Sequence, residues 1–320
     1  MSERLIARPH AQLQAVGPRG GQNELQLARQ KHPTRRAALA CVVAAAARPI
    51  DGRAQSGSAA GRRERWQTLP PTPILPAGTR SSLLRRGDAV LFHAELGGGA
   101  PVLFLHGGLA NANWWAHQFS GVAAIRRAIA IDTRGHGRSS LGTEGFSYEL
   151  LAADVLGVLD ALSLPKISIV GWSDGAIVGL QLAIDHPQRV ERLFAFAGNA
   201  DHTDLLGGSG SPIFTDYTRR CQLEHSALSP TPESWAPLLE QLQQMWKREP
   251  AFTPAQLGRI TARVAVVHAQ HDEIISDAHA QRLAASIRGA RLLRLANVSH
   301  FALLQDPVQF NRELIAFLHG

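Results

Sequence analysis

The chain is poor in sulfur and in tyrosine: its 320 residues include two cysteines, two methionines and two tyrosines. Cys41 lies in the N-terminal stretch and Cys221 is alone in the body, so no internal disulfide forms there. A body of about 255 residues buries a large enough core to need no such staple. Long apolar runs are missing as well. The stretch Ala37 to Ala47 is apolar for eleven residues, short of the ~20 that a membrane-crossing helix requires. There is no Walker motif, no pair of C-x-x-C motifs, no H-E-x-x-H and no internal repeat, so neither a metal nor a nucleotide is implied and no cofactor is expected.

An excess of one charge is absent from most of the chain too, although the net charge of +7 and the isoelectric point near 10.3 hide this. Residues 1–65 hold 12 Lys and Arg against 4 Asp and Glu, whereas residues 66–320 hold 21 against 22. The basicity belongs to the leader. A nucleic-acid footprint would have to lie on the folded body, so no nucleic-acid partner is expected.

What the chain does have is Gly171-Trp172-Ser173-Asp174-Gly175, a G-x-S-x-G pattern directly after the apolar run Ile167 to Val170. This pattern holds a serine nucleophile on a sharp strand-to-helix turn, where side chains at the flanking glycines would collide. Ala176 to Ile184 continue with helical apolar spacing until Asp185-His186-Pro187 stops them, so the positive end of the helix macrodipole faces Ser173.

A serine hydroxyl needs a base, and the base needs an orienting acid. Val264 to His268 reads as a buried strand leading into His271-Asp272-Glu273, and Arg291 to Leu295 reads as the next strand, leading into Asn297-Val298-Ser299-His300. Asp272 is the expected acid and His300 the expected base. His271 is a rival histidine, and Asp201 and Asp204, which follow the strand Leu193 to Ala197, are rival acids.

The developing oxyanion needs backbone donors. One is the N–H of Asp174, and a second comes from the loop His106-Gly107-Gly108-Leu109 after the strand Val102 to Leu105, at Gly108 or Leu109. His106 reads as a brace for that loop. Trp114 and Trp115, just beyond it, are expected in the pocket wall.

These features, with Asp132-Thr133-Arg134-Gly135-His136-Gly137-Arg138-Ser139 as a D-x-R-G-x-G-x-S turn, make residues from about 80 to 320 resemble the α/β-hydrolase superfamily. The resemblance implies an α/β fold: a mostly parallel eight-stranded sheet with helices on both faces and a small helical cap. The chain order Ser173, Asp272, His300 agrees with it. The pentapeptide G-W-S-D-G is similar to that of the biphenyl-hydrolase-like group, which includes serine esterases acting on α-amino-acid esters. In that group the residue after the nucleophile recognises the substrate ammonium, which would make Asp174 a substrate-binding residue here.

The organisation that follows is a leader over 1–65, a first part of the core over 66–200, a cap over 201–260 and a second part of the core over 261–320. Within 201–260 prolines 230, 232, 237, 250 and 254 punctuate a stretch in which Trp235 to Trp246 has helical spacing, and Phe214, Tyr217, Trp235 and Trp246 are candidates for lining the site. In the leader, Thr34-Arg35-Arg36-Ala37 resembles a twin-arginine export motif, with Ser58-Ala59-Ala60 as a cleavage site. The location expected is the cytoplasm, or the periplasm if the leader is an export signal. No integral membrane segment is expected.

The function expected from the sequence is a serine esterase on a small-molecule ester, working through an acyl-enzyme. A C–C-bond hydrolase, a lactonase or a perhydrolase of the same fold is open, and so is a ligand-binding protein that keeps the fold without turnover.

Overall fold

The computed structural model describes residues 63–320, so the twin-arginine motif, the apolar run and the cleavage site of the leader lie outside the described residues. Eight strands form one open sheet: β1 Arg80–Arg86, β2 Ala89–Leu96, β3 Pro101–Leu105, β4 Arg127–Asp132, β5 Ile167–Trp172, β6 Val190–Phe196, β7 Arg263–Ala269 and β8 Arg291–Leu295. They lie in the order β1-β2-β4-β3-β5-β6-β7-β8. β2 pairs antiparallel with both β1 and β4, and every other pairing is parallel.

The gradient of burial across the sheet explains the strand sequences. β5 is buried at all six positions and is apolar apart from Ser168, because helices cover both faces of a parallel sheet at its centre. β1, at the edge, has six of its seven residues exposed and carries three arginines, which blunt an otherwise unpaired edge.

Among the described residues the helices are α1 Ala116–Ala123, α2 Tyr148–Ala161, α3 Asp174–Asp185, α4 Pro212–Leu228, α5 Trp235–Trp246, α6 Pro254–Leu257, α7 Asp277–Ser286, α8 Ala302–Gln305 and α9 Pro307–His319. α9 buries Phe310, Leu314, Phe317 and Leu318, the apolar stripe of a helix lying against a sheet. Phe310 meets Phe194 and Phe196 of β6, with ring centroids 5.5 and 5.2 Å away.

The cap expected over 201–260 contains α4, α5 and α6. Helix α5 runs from Trp235 to Trp246, and its buried residues Leu238, Leu242 and Met245 sit at the spacing that read as helix. Pro237 falls in its first turn, where the missing N–H has no partner to lose.

The turn after β4 is held by one buried carboxylate. Asp132 accepts from the Ala112 and Arg138 amides at 2.6 and 2.8 Å and from the Arg138 guanidinium at 3.0 Å. Beside it the guanidinium of Arg134 forms a two-pronged pair with Asp154, at 2.7 and 3.0 Å, and reaches Asp88 at 2.9 Å. This fixes the geometry that planar fork-to-fork pairing demands, and it ties β4 to α2.

No described helix is long and apolar enough to cross a membrane. Among the described residues no group of three or more His, Cys, Asp or Glu side chains is arranged to hold a metal ion.

Candidate active site

Ser173 stands between the last residue of β5 and the first of α3, with φ 53° and ψ −120°. A non-glycine residue at positive φ costs about 1–3 kcal/mol and persists only where its surroundings over-determine it. Here the surroundings are explicit. The Ser173 N–H donates to Phe196 O at 2.9 Å, locking the turn to the end of β6. A Cβ on Gly171 would overlap the carbonyl oxygen of Gly175, and a Cβ on Gly175 would overlap that of Leu105 in β3. The two glycines are therefore demanded by the approach of α3 to the neighbouring backbones, as the spacing of the motif implies.

Asp272 and His300 come together from loops after adjacent strands. His300 Nδ1 is 3.0 and 3.2 Å from the two oxygens of Asp272, and both side chains are buried. Asp272 also accepts from the amides of Ile274 and Ile275, each at 2.9 Å. Burial alone would raise the Asp272 pKa, but His300 and these two amides outweigh it and hold the carboxyl below its ordinary value. Burial likewise opposes a charged His300, yet the carboxylates of Asp272, Glu273 and Asp174 raise its pKa above the usual value. With its Nδ1 proton held by Asp272, a neutral His300 keeps Nε2 as its accepting nitrogen, the state a general base requires.

The rival residues are engaged elsewhere. Asp204 pairs with His279, at 2.9 Å, and with Arg282; Asp201 accepts from the amide and hydroxyl of Thr203 at 2.8 and 2.9 Å. His271 stacks on Trp66, with ring centroids 4.5 Å apart.

The loop after β3 lies against the elbow: a Cβ on Gly107 would come within 3.2 Å of Ser173 Cβ. His106 braces it, accepting from the Thr133 amide at 3.1 Å through Nε2 while its Nδ1 lies 2.8 Å from Gly107 O. Tyr217 of α4 donates its hydroxyl to Gly108 O. Leu109 has φ 69°, a turn conformation rare outside glycine. Among the described residues the amides of Gly108, Leu109 and Asp174 donate to no acceptor. Asp174 follows Ser173 directly, and a Cβ on Gly108 would overlap the Asp174 carboxylate.

Asp174 carries the second carboxylate of the site. It accepts from the Tyr148 hydroxyl at 2.8 Å and from Trp246 Nε1 at 2.9 and 3.1 Å. Burial raises its pKa, against the lowering effect of these donors and of His300. Trp246 was among the cap aromatics singled out in the sequence. Tyr148 was not, because it lies on α2, far along the chain, and only packing brings it here.

An aromatic group surrounds His300. The Phe214 ring lies 5.5 Å from it, the Phe301 ring 5.8 Å and the Trp172 ring 5.9 Å, with Tyr217 packed on all three. Trp114 and Trp115 are fully buried. Trp114 sits behind Trp172 at 5.5 Å and donates to Glu224 at 2.8 Å. Trp115 packs on Phe104 and Phe310 in the core, on the other side of its turn. Adjacent residues of one tight turn point in different directions, so a shared place in the pocket wall does not follow from their adjacency in sequence.

Glu273 went unnoticed in the sequence as a site residue. Its carboxylate accepts the backbone N–H of His300 at 3.2 Å, so it steadies the histidine loop from the acid loop. Its position next to Asp272 was the only available signal.

A family model for the alpha/beta hydrolase fold matches residues 100–221, from the start of β3 into α4. The chain is 29% identical over 256 residues to a putative carbamate hydrolase, RutD, of Variovorax paradoxus, a match spanning 72% of this chain and 92% of the relative. It is 27% identical over 257 residues to rhodomycin D methylesterase DauP of Streptomyces sp. strain C5, spanning 63% and 85%. The solved structure of Est816, described as an N-acyl homoserine lactone degrading enzyme, superposes with a TM-score of 0.60 at 28% identity, covering 74% of this chain and all of that one.

Proposed function

We propose that this chain is a hydrolase of the α/β fold and that it cleaves a carboxylic ester of a small molecule through an acyl-enzyme on Ser173. The observation that carries the reading is the strained Ser173 at the N-terminus of α3, on the same sheet edge as the buried Asp272–His300 pair. Ser173 attacks the acyl carbon while His300 Nε2 takes its proton, and Asp272 stabilises the imidazolium that results. The negative charge on the carbonyl oxygen is met by the amide of Asp174 together with that of Gly108 or Leu109. His300 then protonates the departing alcohol, and a water activated by the same nitrogen releases the acid.

The named relatives fit this chemistry. A methylester, a carbamate and a lactone all present an acyl carbon bonded to a heteroatom, and attack there yields the same tetrahedral oxyanion.

One observation favours α-amino-acid esters within this class. The Asp174 carboxylate is held by two neutral donors and by no Lys or Arg among the described residues, so its charge is available to a substrate ammonium. Trp114 and Trp115 act behind the site in this reading, as support.

The experiment is labelling with a fluorophosphonate, followed by turnover of a valine ester and the isovalerate ester of the same alcohol. Ser173→Ala should lose both labelling and turnover while keeping its circular dichroism. Retained turnover would overturn the assignment, and stoichiometric binding without turnover in the unmodified protein would favour a binding protein. Equal rates on the two esters, unchanged in Asp174→Asn, would remove the amino-acid preference and keep the esterase.

A further inference from the structure

The side chains packed around Ser173 fall into two groups. Phe214, Phe301 and Trp172 lie against the His300 ring, whereas Tyr148 and Trp246 converge on the Asp174 carboxylate. The second group borders the loop after β3 as well. A Cβ on Gly108 would stand 2.5 Å from Asp174 Oδ2 and 2.6 Å from Trp246 Cζ2. Cζ2 and Nε1 belong to one edge of the indole, so that edge spans from Asp174, the residue after Ser173, to Gly108. Gly108 in turn follows Gly107, where an added Cβ would come within 3.2 Å of Ser173 Cβ. Trp246 thus meets both segments that flank Ser173. Ser173, Asp174 and Trp246 are each partly exposed, so this edge of the ring is not sealed in the core.

The ring has little room to withdraw. Leu242 and Met245 of α5 are fully buried just before it. Just after it, Glu249 accepts the Tyr148 amide at 2.8 Å, at the start of α2. The chain then pairs with the loop after β6, where the His202 N–H donates to Pro250 O at 2.8 Å and the Phe252 N–H donates to Ala200 O at 2.9 Å. The backbone is held on both sides of Trp246, and the bond from Nε1 to Asp174 fixes the rotation of the ring. Such support makes the indole a fixed wall.

We infer that Trp246 sets the acyl specificity of the site: its indole is the stop against which the acyl chain ends, so short acyl groups are taken and long ones excluded. The inference rests on the esterase reading above. In that reading the alcohol departs on the His300 side, because His300 protonates it, and the carbonyl oxygen points at the amides of Asp174 and of Gly108 or Leu109. The direction left for the acyl chain is the one walled by Trp246 and Tyr148. The bulk of the indole excludes long chains; its hydrogen bond to Asp174 only holds the ring in place.

The test uses the full chain and p-nitrophenyl esters of linear acids from acetate to octanoate. In the unmodified enzyme kcat/KM should peak at a short acid and fall beyond it. Trp246→Ala should move the peak to a longer acid, each newly admitted methylene being worth about fourfold in kcat/KM, as for the burial of one CH2. Trp246→Leu keeps an apolar side chain to seat α5 and should move the peak part of the way, which preserves the test if the alanine variant does not fold. Trp246→Phe removes the donor but keeps most of the bulk, so it should move the peak least. Esters of one short acid with a series of linear alcohols should give the same alcohol profile in the unmodified enzyme and in the variants. A peak at long acids in the unmodified enzyme, equal shifts in the phenylalanine and leucine variants, or a change in the alcohol profile instead of the acyl profile overturns the inference. If no ester is cleaved and Ser173 is not labelled by a fluorophosphonate, the esterase reading fails. Saturation-transfer NMR with methyl ketones of the same chain lengths then decides the role of Trp246: long ketones should bind only the leucine variant, and equal binding by both proteins overturns it.

Discussion

Trp246 donates its indole N–H to both carboxylate oxygens of Asp174, at 2.9 and 3.1 Å. The bond joins the last residue of α5 to the first residue of α3, so the seating of α5 and the electrostatics beside Ser173 share one contact.

Trp246→Phe keeps the ring and removes the donor. A hydrogen bond to a charged group is worth about 1.5–3 kcal/mol, and the carboxylate left behind is partly buried. The variant should lose stability of that order in urea denaturation, and its KM for esters should rise as α5 loosens. Unchanged stability and KM would mean that apolar packing through Leu238, Leu242 and Met245 suffices to hold α5 in place.

The pH dependence follows from His300. The base acts only when neutral, and its pKa is raised, so kcat/KM should climb with pH on an acid limb whose midpoint lies above the ordinary histidine value near 6.5. Activity is lost as pH falls through that midpoint. Asp272→Asn removes the largest influence that raises it, so the limb should move to lower pH while the rate drops by orders of magnitude. A limb that stays put in Asp272→Asn would show that His300 is not the titrating base.

Gly175→Ala places a methyl group on the carbonyl oxygen of Leu105, a backbone atom that cannot rotate away. Overpacking of this kind costs typically ~1–3 kcal/mol, and more where backbone must move. Gly145→Ala, where an added Cβ meets nothing within 4 Å, is the control and should stay within about 0.5 kcal/mol. Comparable melting temperatures for the two variants would refute the close-approach explanation of the motif.

Much of the candidate site was legible because its signals are local. Ser173 is announced by two glycines and an apolar strand within ten residues, and Asp272 and His300 each follow a strand whose apolar run is unmistakable. β8 spans the range Arg291–Leu295 that its sequence marked, and α5 the range Trp235–Trp246. Other members of the site carry no such signal. Tyr148 is an ordinary first-turn residue of α2, and Glu273 one of 26 acidic residues, until packing brings them to Asp174 and His300. Trp115 had the composition of a pocket residue and went into the core, since its direction depends on a short turn.

By itself the sequence determined the fold class, the order of the candidate site residues along the chain and the position of the strained serine turn, because hydrophobic period, glycine spacing and strand ends act over a few residues. Only the tertiary structure decided which carboxylate meets which donor, which aromatic faces His300, and that Trp66, from the segment before β1, closes a cavity against Glu273. Those outcomes depend on contacts between segments up to about two hundred residues apart, and such contacts are set by how whole helices pack, which no local pattern encodes.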